Sequence, residues 1–202
     1  MRKKNLILKI NYIVLFVLFL TACGSDYKPK PKGLNYIDLP EQKYQLLSDA
    51  DKPYTFEYSV HALAMDDTGT TFKDKKKLYK ILKYPELNSS IHITYKAVNK
   101  NMDSLDSYIN EAYRLAYGHD VKAYGITPEV GVLPNGNYLT TITLEGDVPS
   151  QYQFFVHDSV SNFLRGVIYF SIADKNDSLA PVINFVKQDA QHLIRTLKWK
   201  KR

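Results

Sequence analysis

Two periods of hydrophobicity alternate along this chain. Tyr54, Phe56, Tyr58 and Val60 alternate with Thr55, Glu57 and Ser59, the spacing of a half-buried strand, and predict a strand over 53–60. Leu78 to Tyr84 predicts a second strand, stopped by Pro85. Ser90 to Ala97 predicts a third, with Ile91, Ile93 and Tyr95 on one face and His92 and Thr94 on the other. The period then lengthens. Leu105, Ile109, Ala112 and Ala116 recur at helical spacing, with Tyr108 and Tyr113 beside the stripe. Asp103 is available as the N-cap and Gly118 as the stop. Glu129 to Leu133 and Asn137 to Leu144 read as a hairpin around Asn135-Gly136, residue types that accept positive φ in a tight turn. Gly146-Asp147-Val148-Pro149 turns the chain again. Gln151 to His157 and Phe163 to Ile172 are two more strands, and Gly166 inside the second marks a bulge or a close backbone approach.

The last element has the strongest pattern. Leu179, Val182, Ile183, Val186, Ala190, Leu193, Ile194 and Leu197 form one stripe, with Lys187, Gln188, Gln191, Arg195 and Lys198 opposite. Asp177-Ser178 is placed to cap this helix, Pro181 falls in its first turn, and Trp199 closes it. The order is strands, helix, strands, helix. It predicts an α+β fold, mainly antiparallel sheet with two main helices packed on it.

Ahead of this domain the pattern is of another kind. Arg2, Lys3 and Lys4 precede the eight apolar residues Ile13 to Leu20, and Leu20-Thr21-Ala22-Cys23 follows. A basic start, a short apolar core and small residues at the cut describe a secretory signal peptide. The run is far below the roughly 20 residues a membrane span needs. A cysteine directly after Leu-Thr-Ala is the bacterial lipoprotein pattern, in which the Cys23 thiol is joined to diacylglycerol and becomes the first residue. Two or more acyl chains, at about 0.8 kcal/mol per buried CH2, give stable anchoring. Lys28-Pro29-Lys30-Pro31-Lys32-Gly33 then favours an extended, flexible tether. The organisation expected is a signal peptide over 1–22, a lipidated cysteine and tether over 23–35, and one globular domain over 36–202.

Charge alters the picture once the leader is set aside. The chain carries 27 basic and 21 acidic residues. Four of the basic ones and none of the acidic ones precede Cys23, which leaves 23 against 21 and a net charge of +2. That removes the electrostatic case for a nucleic-acid partner. Cys23 is the single cysteine, so the domain has no disulfide and relies on its core. The 16 tyrosines suit half-exposed strand positions.

Catalytic signatures are sparse. The chain has no His-Glu-x-x-His, no Cys/His metal set, no Gly-x-Ser-x-Gly elbow and no glycine-rich phosphate loop. No cofactor and no metal site is expected. His157-Asp158-Ser159 holds the residue types of a hydrolytic triad, but neighbours in a turn do not readily build a relay in which the histidine bridges the other two. Asp66-Asp67 and Asp174 to Asp177 lack the spacing of a calcium loop. Arg165 is the candidate partner contact, a planar fork suited to a carboxylate, within an apolar strand. The alternative is a structural ion pair with Asp158 or Glu145.

Several long stretches, taken together, resemble the gliding motility lipoprotein GldD family of the Bacteroidetes. They include Asp26 to Gly33, Tyr36-Ile37-Asp38-Leu39-Pro40-Glu41, Thr55-Phe56-Glu57-Tyr58 and Ile91-His92-Ile93-Thr94-Tyr95. The most specific are Asp158-Ser159 with Phe163 to Phe170, and Asp177 to Phe185. One departure is Lys52 before Pro53-Tyr54-Thr55, where family members often have cysteine. The resemblance implies a lipid-anchored, non-catalytic envelope component of the motility and associated protein secretion machinery, with envelope proteins as partners. The strand–helix order is also similar to the PsbP/Mog1-type sandwich. Asp103-Ser104-Leu105, Asp158-Ser159-Val160 and Asp177-Ser178-Leu179 resemble the O-glycosylation acceptor pattern of that phylum, which makes Ser104, Ser159 and Ser178 candidates. The simpler reading of these triplets is two helix starts and one hairpin loop. An anchor facing the periplasm is the expected location. Rival functions are an envelope glycan or cell-wall hydrolase using scattered carboxylates, and small-ligand binding on a tyrosine-lined sheet face.

Overall fold

The computed structural model describes residues 38–66, 79–119, 122–171 and 176–200. The leader, Cys23, the tether, the Asp67 to Leu78 segment, residues 120–121 and 172–175, and the last two residues lie outside the described residues. In chain order the elements are β1 (Tyr44–Leu46), β2 (Tyr54–Thr55), β3 (Glu57–Ser59), β4 (Leu63–Asp66), β5 (Tyr79–Tyr84) and β6 (Ser89–Ala97). Helix α1 (Met102–Tyr117) follows, then β7 (Ala123–Val132), β8 (Tyr138–Gly146), β9 (Tyr152–His157), β10 (Asn162–Phe170), helix α2 (Asn176–Thr196) and β11 (Lys198–Trp199).

Seven strands make one antiparallel sheet in the order β4-β5-β6-β10-β9-β8-β7. The chain leaves the sheet after β6 through α1, adds the β7-β8-β9 meander, and returns as β10 between β9 and β6. The β6–β10 register sets Ile93 against Gly166, Tyr95 against Leu164 and Ile91 against Ile168. These residues share the face that meets α2. Val182, Val186, Ala190, Leu193, Ile194 and Leu197 are buried there, in one core with Leu82, Tyr84, Phe154, Val156, Leu164 and Ile168. Each such side chain contributes roughly 1.5–3 kcal/mol on burial. On the other face Leu105, Ala112 and Ala116 of α1 pack with Ile142, Leu144, Phe155 and Phe163. The two stripes read from the sequence thus cover opposite faces of one sheet, and the fold is α+β.

Local details differ from the sequence reading. Asn101, not Asp103, caps α1: its side chain accepts the Ser104 N–H at 3.1 Å. Gly118 ends the helix at φ −63°, so its left-handed freedom is unused. At the hairpin only Gly136 takes positive φ, at 82°, within a wider loop where Leu133 N–H donates to the Asn137 carbonyl at 2.8 Å. The alternation over 53–60 builds no strand of the main sheet. It divides at Phe56 into β2, which pairs with β11, and β3, which pairs with β1. Thr196 Oγ1 accepts the Glu57 N–H at 2.9 Å, so the end of α2 takes up donors that a sheet neighbour would otherwise satisfy. Trp199 lies after the helix, in β11, with its indole N–H donating to Asn137 Oδ1 at 2.9 Å. Four tyrosines, Tyr54, Tyr84, Tyr95 and Tyr152, are core residues.

One close approach within the sheet and one buried carboxyl on the helix fix the packing. Phe154 lies over Gly166, where an added Cβ would stand 2.1 Å from the ring's Cζ. Gly166 therefore marks a close approach and not a bulge. Asp189, 1% exposed on α2, accepts from Tyr84 Oη at 3.0 Å and Gln42 Nε2 at 3.3 Å, which ties the sheet and the N-terminal segment to the helix. Burial pushes the Asp189 carboxyl above the usual range, and hydrogen bonds from Ser59, Tyr84 and Tyr44 oppose this only in part.

Gly166→Ala should cost about 1–3 kcal/mol through overpacking against Phe154 and lower Tm by roughly 2–4 °C per kcal/mol, as measured by thermal unfolding. The folded state holds the Asp189 proton more tightly than the unfolded chain does. This group's contribution is therefore present in acid and lost as pH rises through its raised value. In Asp189→Asn that loss should vanish, so denaturant titrations between about pH 4 and about pH 7 should show stability falling less with pH than in the parent.

Candidate functional site

Arg165 owes its position to β10. Leu164, Gly166 and Ile168 face α2, so Phe163, Arg165 and Val167 face α1. Helix α1 covers β8, β9 and β10 on that side and stops short of β5. Arg165 emerges at this margin. Its Nη2 donates to Gln153 Oε1 at 2.6 Å. Burial draws its pKa down, with Tyr169 and Glu111 opposing, but a guanidinium stays charged in proteins. Neither Asp158 nor Glu145 pairs with it. Among the described residues no carboxylate is its ion-pair partner: Glu111 on α1 pairs with Lys96 of β6. Lys96 also stands 4.6 Å from the Tyr108 ring centroid.

In front of Arg165 lies a pocket of about 180 Å³, lined by Tyr79, Thr94, Lys96, Tyr108 and Glu111 among others. Two cations and one acid line it. An ion removed from water and left without a counter-charge is costly, so this arrangement favours an anionic group entering from outside. The lining side chains come from β5, β6, α1 and β10, which are far apart in sequence. Only Arg165 was legible beforehand. Lys96 and Glu111 carry no local signal, because neither stands out from an ordinary solvated face.

The His157-Asp158-Ser159 run forms a loop, not a relay. Asp158 Oδ1 accepts the N–H groups of Val160, Ser161 and Asn162 at 2.9, 2.7 and 2.9 Å. Burial pushes its carboxyl up, but these donors and the Asn162 amide outweigh that and hold it below the usual range. Asp158 is thus committed to the loop backbone. Ser159 takes φ 63°, and its Oγ lies 3.3 Å from His157 Nδ1. Tyr138 stacks on the other side of the imidazole, ring centroids 5.2 Å apart. Ser104 lies in the first turn of α1, half-buried. Ser178 falls in the first turn of α2, and its side chain lies outside the described residues.

The carboxylates with the shortest shared contact are Asp49 and Asp66, each 3.0 Å from Lys80 Nζ and therefore at most about 6 Å apart. Lys52, 3% exposed, joins them at 3.2 Å from Asp66. Lys52, directly before Pro53, is thus a buried ion-pair member. Burial raises both acids, but Lys80 and Lys52 together bring them below the usual range. Glycoside cleavage needs one carboxyl raised enough to donate a proton, and this cluster does the opposite. Among the described residues no group of three or more His, Cys, Asp or Glu side chains is placed to hold a metal ion. His192 pairs with Glu57 at 2.7 Å and stacks on Tyr44 at 3.6 Å, His61 meets the Glu41 carbonyl at 2.9 Å, and His92 meets Ser90 Oγ at 3.0 Å. Asp189 escaped sequence reading although it interrupts the α2 stripe, three residues after Val186 and four before Leu193.

Among the described residues no helix is long and apolar enough to cross a membrane. No curated protein matches the chain. Among solved structures it is similar to the solution structure of cyanobacterial PsbP from Synechocystis sp. PCC 6803, with 11% identity and a TM-score of 0.45 over 80% of this chain and 95% of that one. It is also similar to the Ran-binding protein Mog1p of Saccharomyces cerevisiae, with 8% identity and a TM-score of 0.45 over 79% of this chain and 96% of that one. The family model described as gliding motility lipoprotein GldD matches residues 24–199, nearly the whole span from the cysteine to Trp199. The chain belongs to the gliding motility lipoprotein GldD family.

Proposed function

We propose that this protein is anchored through acylated Cys23, faces the periplasm, and serves the gliding motility and associated secretion machinery as a non-catalytic assembly component. The observation that carries this reading is Arg165: a half-buried guanidinium, unpaired with any carboxylate among the described residues, at the back of a small pocket. Such a site suits an acidic side chain of a partner protein, since the fork offers two parallel donors to a carboxylate. The tyrosines beside it supply rigid contact area of the kind that concentrates binding energy. Family membership supports the motility role and the lipid anchor. The tether over 23–35 holds the domain off the bilayer. Ser104, Ser159 and Ser178 are proposed O-glycosylation acceptors, and mass spectrometry of the purified protein tests each.

Cys23→Ser should release the protein from the membrane fraction and abolish spreading on agar. If that variant stays with membranes and its cells still spread, the anchoring reading fails. For Arg165 two variants separate recognition from folding. Arg165→Met replaces a half-buried charge that has no carboxylate partner among the described residues by an apolar chain and should leave stability within about 1 kcal/mol of the parent, or raise it. Arg165→Met and Arg165→Glu should both lose spreading while protein level and Tm are retained. Normal spreading by either one overturns the assignment of this pocket.

A further inference from the structure

The outer edge of β7 is open. Among the described residues it pairs with β8 alone, at the end of the sheet. Leu133 N–H bonds to the Asn137 carbonyl, which turns the odd-numbered residues of β7 toward β8. The backbone groups of Ile126, Pro128, Val130 and Val132 therefore point outward. Edges of this kind are usually defended by proline, lysine or a bulge. The first half of β7 has two of these, a register shift between Ala123 and Gly125 and Pro128, which has no N–H to offer. The second half, Glu129 to Val132, has no proline, lysine or bulge, and Glu129 is its one charged side chain. Val130 and Val132 are 73% and 65% exposed.

A groove of about 360 Å³ opens beside that undefended half. Glu129, Val130 and Gly131 form one wall, with Lys187 and Arg195 of α2 opposite and Tyr152 among the lining residues. A Cβ at Gly131 would meet nothing within 4 Å, so the strand side is open. Lys187 stands 4.9 Å from the Tyr152 ring centroid. Among the described residues neither Lys187 nor Arg195 has a carboxylate partner. The groove thus holds two cations against one acid. An edge strand beside a helix, with a cleft between them, is the arrangement that takes an extended peptide as an added strand. A second copy of this chain is a poor occupant, because its own β7 brings no acid except Glu129, which already lines the groove.

We propose that Val130 and Val132 pair with an extended segment of a partner protein, added as an eighth strand, and that an acidic side chain of that segment faces Lys187 and Arg195. The site lies on the opposite face of the sheet from Arg165 and does not depend on it.

The test uses the purified full chain in detergent and a fluorescein-labelled peptide, Thr-Val-Glu-Val-Glu-Val-Thr, with its lysine-for-glutamate counterpart. Anisotropy should show the acidic peptide binding roughly tenfold or more tightly than the basic one, the scale of one or two charge-assisted contacts. Val130→Pro removes an outward N–H and leaves the β8 ladder intact, so binding should fall roughly tenfold with Tm retained. Should that variant fail to fold, the double substitution Lys187→Glu and Arg195→Glu keeps the backbone and should reverse the preference between peptides. Arg165→Met should bind like the parent. Equal binding of the two peptides, no binding at ~1 mM, or a preference unchanged in the double variant overturns the proposal. A photocrosslinker at Val132 in cells that captures only a second copy of this chain, or its own residues 24–37, overturns it as well.

Discussion

A seven-stranded antiparallel sheet has two faces to cover, and the described residues supply two helices with which to do it. That shortage shapes everything else. Helix α2 lies across one face and leaves the β7 end open. Helix α1 lies across β8 to β10 on the other and leaves β4 to β6 with less cover, so that Leu63 and Met65 are exposed. Among the described residues its last strand pairs on one side only, which leaves outward backbone groups open. Both places where a partner could seat are margins of helix coverage. Neither is a cavity within a core.

The charges follow the same logic. Deep in the fold, titratable groups have partners. Lys80 and Lys52 hold Asp49 and Asp66, Asp158 is spent on its own loop, and Asp189 is met by hydroxyl and amide donors. At the two margins the balance breaks, and in both cases toward positive charge. Arg165 has a glutamine where a carboxylate would serve better. Lys187 lies over a tyrosine ring. Each margin thus carries cations without a carboxylate partner among the described residues, Arg165 at one and Lys187 and Arg195 at the other. Complementary charge governs encounter and register more than raw affinity, which suits a component that must recognise a fixed place in an assembly.

Much of this was written locally. Alternation at Ile91, Ile93 and Tyr95 and the stripes of α1 and α2 name their buried faces without reference to any other part of the chain, because strand and helix periods are properties of consecutive residues. The glycine at 166 and the arginine at 165 stood out for the same reason, as exceptions to an apolar run. The Leu20 to Cys23 pattern is likewise local. What the tertiary structure decided is which strands are neighbours. The Tyr54 to Ser59 alternation met the pattern of a sheet strand and yet joined β1 and β11, since those strands and Thr196 at the end of α2 take up its backbone groups. The pocket at Arg165 and the groove at β7 needed contacts between residues tens of positions apart, from elements whose order in space is set by the return of β10 to the middle of the sheet. Loop closure and layer packing make that choice, and no window of the sequence contains it.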